Sequence, residues 1–156
     1  MQTPRHDLIE EFHSEDTMSV NHSKLIHRLS VAFDRYESQY DILPELELAL
    51  PSGKCKPDVS VYANRPVDWL NDTVFYDQPP IIAVEILSPR QALTELTDKA
   101  YKQYFPAGVQ TVWLVIPVLR VVHVLLPDGS MQIYAGGVLT DPATGLEVDL
   151  DYLFRT

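Results

Sequence analysis

A chain of 156 residues with 46% hydrophobic and 22% charged side chains is long enough to bury a sizeable core in one domain and too apolar for general disorder. Its formal net charge of -10 excludes nonspecific nucleic-acid binding through a broad basic surface, so a nucleic-acid role must rest on metal ions and a local basic patch. The single cysteine, Cys55, excludes an internal disulfide and a cysteine-based zinc site; with no apolar run near ~18 residues and acids where a leader would carry bases, the expected setting is a reduced cytoplasm without membrane contact.

Residues 1–17 hold five acids (Asp7, Glu10, Glu11, Glu15, Asp16) around Leu8, Ile9 and Phe12 and read as an acidic N-terminal arm, which leaves 18–156 as a single domain. From Asn21, a candidate N-cap, the residues Leu25, Leu29 and Phe33 recur with Ile26 and Tyr36 at spacings of three and four, predicting a helix to about Tyr40. His22 falls in its first turn, on the inward face.

Leu46 to Leu50 alternates apolar and acidic residues, and the turn Pro51-Ser52-Gly53-Lys54 predicts a hairpin with Val59-Ser60-Val61-Tyr62. Asp58 follows Pro57 at the mouth of that second strand, on the face of Ser60 and Tyr62, and fits either a strand-entry turn residue or a ligand. Asn64 to Gln78 is polar around Trp69 and reads as a long connection.

The run Pro79-Pro80-Ile81-Ile82-Ala83-Val84-Glu85-Ile86-Leu87-Ser88-Pro89 predicts a central strand, apolar on both faces, with one charge in its middle. A carboxylate there loses several kcal/mol of hydration unless a cation, a metal or a dense set of hydrogen bonds replaces the water. Glu85 is therefore either a structural acid paired with Lys or Arg, or a metal ligand. The helix that follows starts at Ser88 or Thr94 and runs to about Phe105, with Leu93, Leu96, Ala100 and Tyr104 as its buried stripe. At about 100° per residue Lys99 lies on the edge of that stripe and reaches inward, whereas Lys102 falls nearly opposite.

Pro106-Ala107-Gly108 ends the helix, Val112 to Ile116 is a buried strand, and Val121 to Leu126 turns at Pro127-Asp128-Gly129-Ser130 into Met131 to Tyr134. Leu146 to Leu150 alternates as a final edge strand, with Leu153 and Phe154 packing back. Val122 and Leu125 serve either the core or a homodimer interface. This order predicts an α/β fold, a mixed sheet in which a crossover helix links two adjacent parallel strands. Asp58 and Glu85 then lie on neighbouring strands, and two carboxylates with a backbone carbonyl make an oxygen-rich pocket of the type Mg²⁺ or Mn²⁺ prefers.

The ordered combination Lys56-Pro57-Asp58-Val59-Ser60, Val84-Glu85-Ile86-Leu87-Ser88-Pro89, Asp98-Lys99 ahead of Tyr104, Ala107-Gly108-Val109 and Val112-Trp113-Leu114-Val115 resembles the Uma-type restriction endonuclease family of the PD-(D/E)xK nuclease superfamily. The similarity runs from about His22 to Phe154. It implies a restriction-endonuclease-like fold and a metal-dependent endonuclease acting on DNA, with the metal held by Asp58, Glu85 and the backbone carbonyl of Ile86. The superfamily's lysine position is occupied here by Leu87, and Lys99 matches a lysine moved to the following helix. His22 matches a first-helix position that completes the site. The alternative is a noncatalytic nucleic-acid- or protein-binding module that keeps the nuclease fold, a reading favoured by the net charge of -10 and by Leu87.

Overall fold

The computed structural model describes residues 18–156, so the acidic arm expected over 1–17 lies outside the described residues. Helix α1 (Val20–Asp34) is capped by Ser19, whose hydroxyl accepts the His22 N–H at 3.1 Å, two residues earlier than the expected cap at Asn21. It also stops short of Tyr40. The buried stripe Leu25, Leu29, Phe33 ends there, tight turns close on Phe33 and Tyr36, and Tyr40 opens strand β1 (Tyr40–Pro44).

The expected hairpin is corrected. Leu48–Leu50 (β2) folds back on Gly53–Cys55 (β3) through Pro51 and Ser52, pairing Leu50 with Gly53. That closure is more local than pairing with Val59–Ala63 (β4), which instead lies between β1 and β5 (Ile82–Ile86), antiparallel to both. Gly53 at φ 132° supplies a backbone conformation that side chains rarely adopt. The connection over 64–78 carries only an isolated bridge between Tyr76 and Leu48.

Among the described residues the main sheet has six strands in the order β1-β4-β5-β6-β7-β8, where β6 is Thr111–Ile116, β7 Val121–Leu125 and β8 Met131–Tyr134. Only β5 and β6 run parallel, and helix α2 (Leu93–Lys99) crosses between them as the sequence predicts. The expected last edge strand lies outside this sheet. Glu147–Asp149 (β10) pairs with Val138–Thr140 (β9) in a two-stranded ribbon that leads into the short helix α3 (Leu150–Leu153).

Each face of the sheet has its own core. Leu25, Leu29 and Phe33 of α1, with Leu139, Val148, Leu150 and Leu153, cover Val59, Val61, Ile82, Val84, Ile86 and Trp113. On the other face Leu96, Ala100 and Tyr104, with Leu48, Leu50 and Cys55, cover Ala83, Val112, Leu114 and Leu125. Val122 and Leu125 are buried in these cores within one chain, which decides for packing over the alternative of a dimer interface. A buried carboxylate that the sequence reading did not single out, Asp141, pins the β9–β10 turn to β6. Its Oδ1 accepts from Thr111 Oγ1 (2.7 Å) and Trp113 Nε1 (2.9 Å), and its Oδ2 from the Ala143 and Thr144 N–H groups and Thr144 Oγ1.

Neither Ser88 nor Thr94 caps α2. The N-cap is Ala92, whose N–H meets the Glu95 carboxylate at 3.5 Å, and Leu93 at the helix start is exposed rather than buried. Beyond Lys99 the chain passes through one π-helical turn, Ala100–Tyr104, closed by the Phe105 N–H on the Ala100 carbonyl. A last turn, Phe105–Ala107, ends at Gly108 with φ 109°. Among the described residues no helix is long and apolar enough to cross a membrane.

Candidate functional site

The register of β4 on β5 pairs Val59 with Val84 and Ser60 with Ala83, so one further step sets Asp58 beside Glu85. The Asp58 N–H donates to the Val84 carbonyl at 2.9 Å, which holds this junction after the regular ladder ends. Asp58 Oδ2 then accepts the N–H of Ile86 at 2.7 Å. The first turn of α1 brings in His22, whose Nε2 lies 2.7 Å from Asp58 Oδ1 and whose Nδ1 lies 3.2 Å from Ser88 Oγ. His22, Asp58, Glu85 and Ser88 are all buried. Nε2 is within ion-pair range of Asp58 Oδ1 and has no further partner among the described residues.

Glu85 alternates with Ala83 onto the α2 face of β5, and there Lys99 Nζ lies 3.4 Å from Glu85 Oε1. The Tyr104 hydroxyl donates a short hydrogen bond to the same oxygen. Lys99 and Tyr104 are five residues apart. In a regular α-helix that spacing turns them about 140° away from each other, since each residue advances about 100°. The π turn, with its five-residue hydrogen-bond repeat, returns them to one face and allows both to reach one carboxylate oxygen.

Burial pushes the Glu85 carboxyl up to about 7 from an ordinary 4.5; the Lys99 charge opposes this, the neighbouring Asp58 adds to it, and the Tyr104 hydrogen bond opposes it again. Burial, followed by the Glu85 charge, raises the Tyr104 hydroxyl well above its usual range, so this residue serves as a donor. Cys55 packs in the same core as Tyr104, but burial drives its thiol up to about 11 and removes it as a nucleophile at neutral pH.

The fold therefore gathers His22, Asp58, Glu85, Lys99 and the Ile86 backbone at the end of β5 where both cores meet. Lys102 points to solvent and pairs with Asp98 at 3.6 Å, as its helical position predicts. Two participants had been read otherwise in the sequence: Ser88 as a helix cap and Tyr104 as stripe packing. Their roles depend on α1 and on the π turn, neither of which leaves a local signature at Ser88 or Tyr104.

Among the described residues no group of three or more His, Cys, Asp and Glu side chains is arranged to hold a metal. This argues against a closed, all-side-chain site. A small hard cation asks for less: Mg²⁺ keeps several waters and binds through one or two carboxylates. The buried acids Asp58 and Glu85, the carbonyl of Ile86 and the Nε2 of His22 beside Asp58 fit that requirement.

The family model Uma2, described as "Putative restriction endonuclease", matches residues 2–151. No curated protein matches the chain. A crystal structure from Anabaena variabilis ATCC 29413, described as a putative nuclease belonging to DUF820, is similar with a TM-score of 0.73 and 21% identity, over 90% of this chain and 83% of that one. At that identity the likeness establishes a shared fold.

Proposed function

The chain belongs to the Uma2 family of "putative restriction endonucleases", and from that premise we propose that it hydrolyses DNA phosphodiester bonds with Mg²⁺ or Mn²⁺ held by Asp58, Glu85 and the Ile86 carbonyl. The observation that carries this reading is the placement of Lys99 Nζ 3.4 Å from Glu85, on the strand beside buried Asp58. A structural ion pair accounts for Glu85 with Lys99. It does not by itself account for a second buried acid and a buried imidazole gathered at the same strand end, 2.7 Å apart.

A divalent cation bound there supplies Lewis-acid stabilisation of phosphate charge and a water of lowered pKa. The protein's own groups divide the remaining work. Lys99 favours the ionised form of Glu85, opposing part of the effect of burial, and sets an ammonium where it can orient the attacking water or stabilise the charge developing on phosphate. Tyr104 fixes the rotation of the Glu85 carboxylate through Oε1. The Ile86 N–H holds Oδ2 of Asp58, and His22, steadied by Ser88, faces Oδ1 and can contact either the cation or a phosphate oxygen.

The test is nicking of supercoiled plasmid with Mg²⁺ or Mn²⁺. Wild type is expected to cleave, and Glu85→Gln to lose cleavage while still unfolding cooperatively. Undiminished cleavage by a purified Glu85→Gln protein would overturn the assignment. Leu87 at the superfamily's lysine position favours a second reading, a noncatalytic binding module. That reading expects DNA or protein binding by the wild type with no metal-dependent nicking.

A further inference from the structure

The net charge of -10 conceals an uneven distribution. A hollow of about 400 Å³ between α1, the turn after β6 and the C-terminal segment is lined by Lys24, Arg28, Arg120 and Arg155. Those are four of the chain's 12 Lys and Arg residues, and no acidic side chain lines the hollow among the described residues. In a chain with 22 acids, a concave surface whose charged side chains are all basic is a local attractor for a polyanion.

Its position relates it to the acid pair. Asn21, Pro117 and Val118 form part of its wall and also part of the wall of a neighbouring hollow of about 580 Å³ floored by Leu87 and Ser88. Ser88 is the partner of His22, so the second hollow adjoins the candidate site through that residue. Along α1, Lys24 and Arg28 stand one turn apart on one face, and Arg28 is about 9 Å up the helix axis from His22 at 1.5 Å per residue. Lys24 and Arg28 lie on a different side of α1 from the inward-facing His22, so a nucleic-acid strand would meet them on passing from one hollow to the other across the shared wall. The wall is held in shape from within, because Arg28 Nη1 donates to the carbonyls of Leu153 (3.0 Å) and Arg155 (2.7 Å). The Arg155 guanidinium lies 4.8 Å from the Tyr152 ring centroid.

We infer that this basic cleft is the surface on which the phosphate backbone of duplex DNA docks as it enters the site, an inference that rests on the nuclease reading for the identity of the polyanion. Phosphate contacts of this kind position the duplex and carry no sequence information, so the cleft would set register and affinity independently of base sequence. Lys24 and Arg120 are exposed, whereas Arg28 also supports the C-terminal segment and is left intact in the test.

The test is fluorescence anisotropy of a labelled 20-base-pair duplex in EDTA, over a range of salt concentrations, with the full chain. Each phosphate contact contributes about 0.9 to the slope of log K against log salt, so Lys24→Ala/Arg120→Ala should lower the slope by about 2 and weaken binding roughly tenfold. Lys24→Gln alone, a mild change on an exposed helix face, should lower it by about 1. A control pair away from the cleft, Lys54→Ala/Lys102→Ala, should keep the wild-type slope. Wild-type affinity and slope in the cleft variants would overturn the inference, and plasmid nicking by the same wild-type protein would show that the nuclease reading survives. The converse result, slope loss in the cleft variants without nicking by any protein, keeps the cleft and removes the nuclease. A wild type that leaves the duplex unbound overturns the cleft as a DNA surface, and binding of labelled poly-glutamate in that case would assign it to an acidic protein partner.

Discussion

Replacing Glu85 by Gln tests the physical basis of the site independently of cleavage. The carboxyl is buried and its pKa is raised to about 7, against an ordinary value of 4.5. In the metal-free protein the native state thus keeps a proton that the unfolded chain has already released. Stability is complete below about pH 4.5 and drains away as the pH rises through about 7, because over that interval the folded state binds more protons than the unfolded state. At 1.36 kcal/mol per pH unit the loss attributable to this one group is about 3 kcal/mol. Gln preserves the shape and keeps an oxygen for Tyr104, yet cannot ionise. Urea unfolding of metal-free wild type and Glu85→Gln at pH 5 and pH 8 should show a wild-type loss greater than that of the variant by about that amount. Saturating Mg²⁺ at pH 8 should restore stability to the wild type alone, since a cation that binds only the native state stabilises it by mass action. Equal pH dependence in the two proteins would refute the claim that burial of the Glu85 carboxyl, only partly offset by Lys99 and Tyr104, governs this strand.

Lys99→Ala should reduce metal-dependent plasmid nicking by at least 10²-fold, while Lys102→Ala, whose ammonium already faces solvent, should match wild type in the same assay. Tyr104→Phe removes a hydrogen bond that favours ionised Glu85, so the pH midpoint of the stability loss should move upward, and thermal-shift titration should show weaker Mn²⁺ binding. Asp141→Ala strands the buried donors Thr111 Oγ1 and Trp113 Nε1 and should cost about 3 kcal/mol or more in urea unfolding followed by tryptophan fluorescence.

The legible part of the fold is the part whose signals are local. The apolar stripe of α1, the doubly buried β5 and β6, and the Pro127-Asp128-Gly129-Ser130 turn each carry their instructions within a few residues, and each forms where the spacing places it. Partner choice among strands is not local. The run Leu48–Leu50 contains nothing that selects Gly53–Cys55 over Val59–Ala63; the two-residue turn makes the nearer pairing cheaper to close, and β4 is then free for β1 and β5. The role of Asp141 is hidden in the sequence for a related reason. Two of its five hydrogen bonds reach back 28 and 30 positions to Trp113 and Thr111, and an Asp before a Pro reads in isolation as an ordinary turn.

Position 87 shows how the two halves of the candidate site depend on each other. Ala83, Glu85 and Leu87 alternate onto the face of β5 covered by α2, and Leu87 packs there as a partly buried apolar residue. An amine arriving from position 87 and one arriving from α2 would thus approach Glu85 from the same side of the sheet. Leu96 and Ala100 are fully buried and anchor α2 on that side, which leaves Lys99, at the rim of the contact, the length it needs to reach Oε1. The π turn that follows is what allows Tyr104 to stay in the same core and still donate to that oxygen. Under the proposed reading, moving the lysine from strand to helix required no new face and no new strand. It required a helix seated closely enough to present one charged side chain inward, and a wider turn behind it to keep the carboxylate from rotating away.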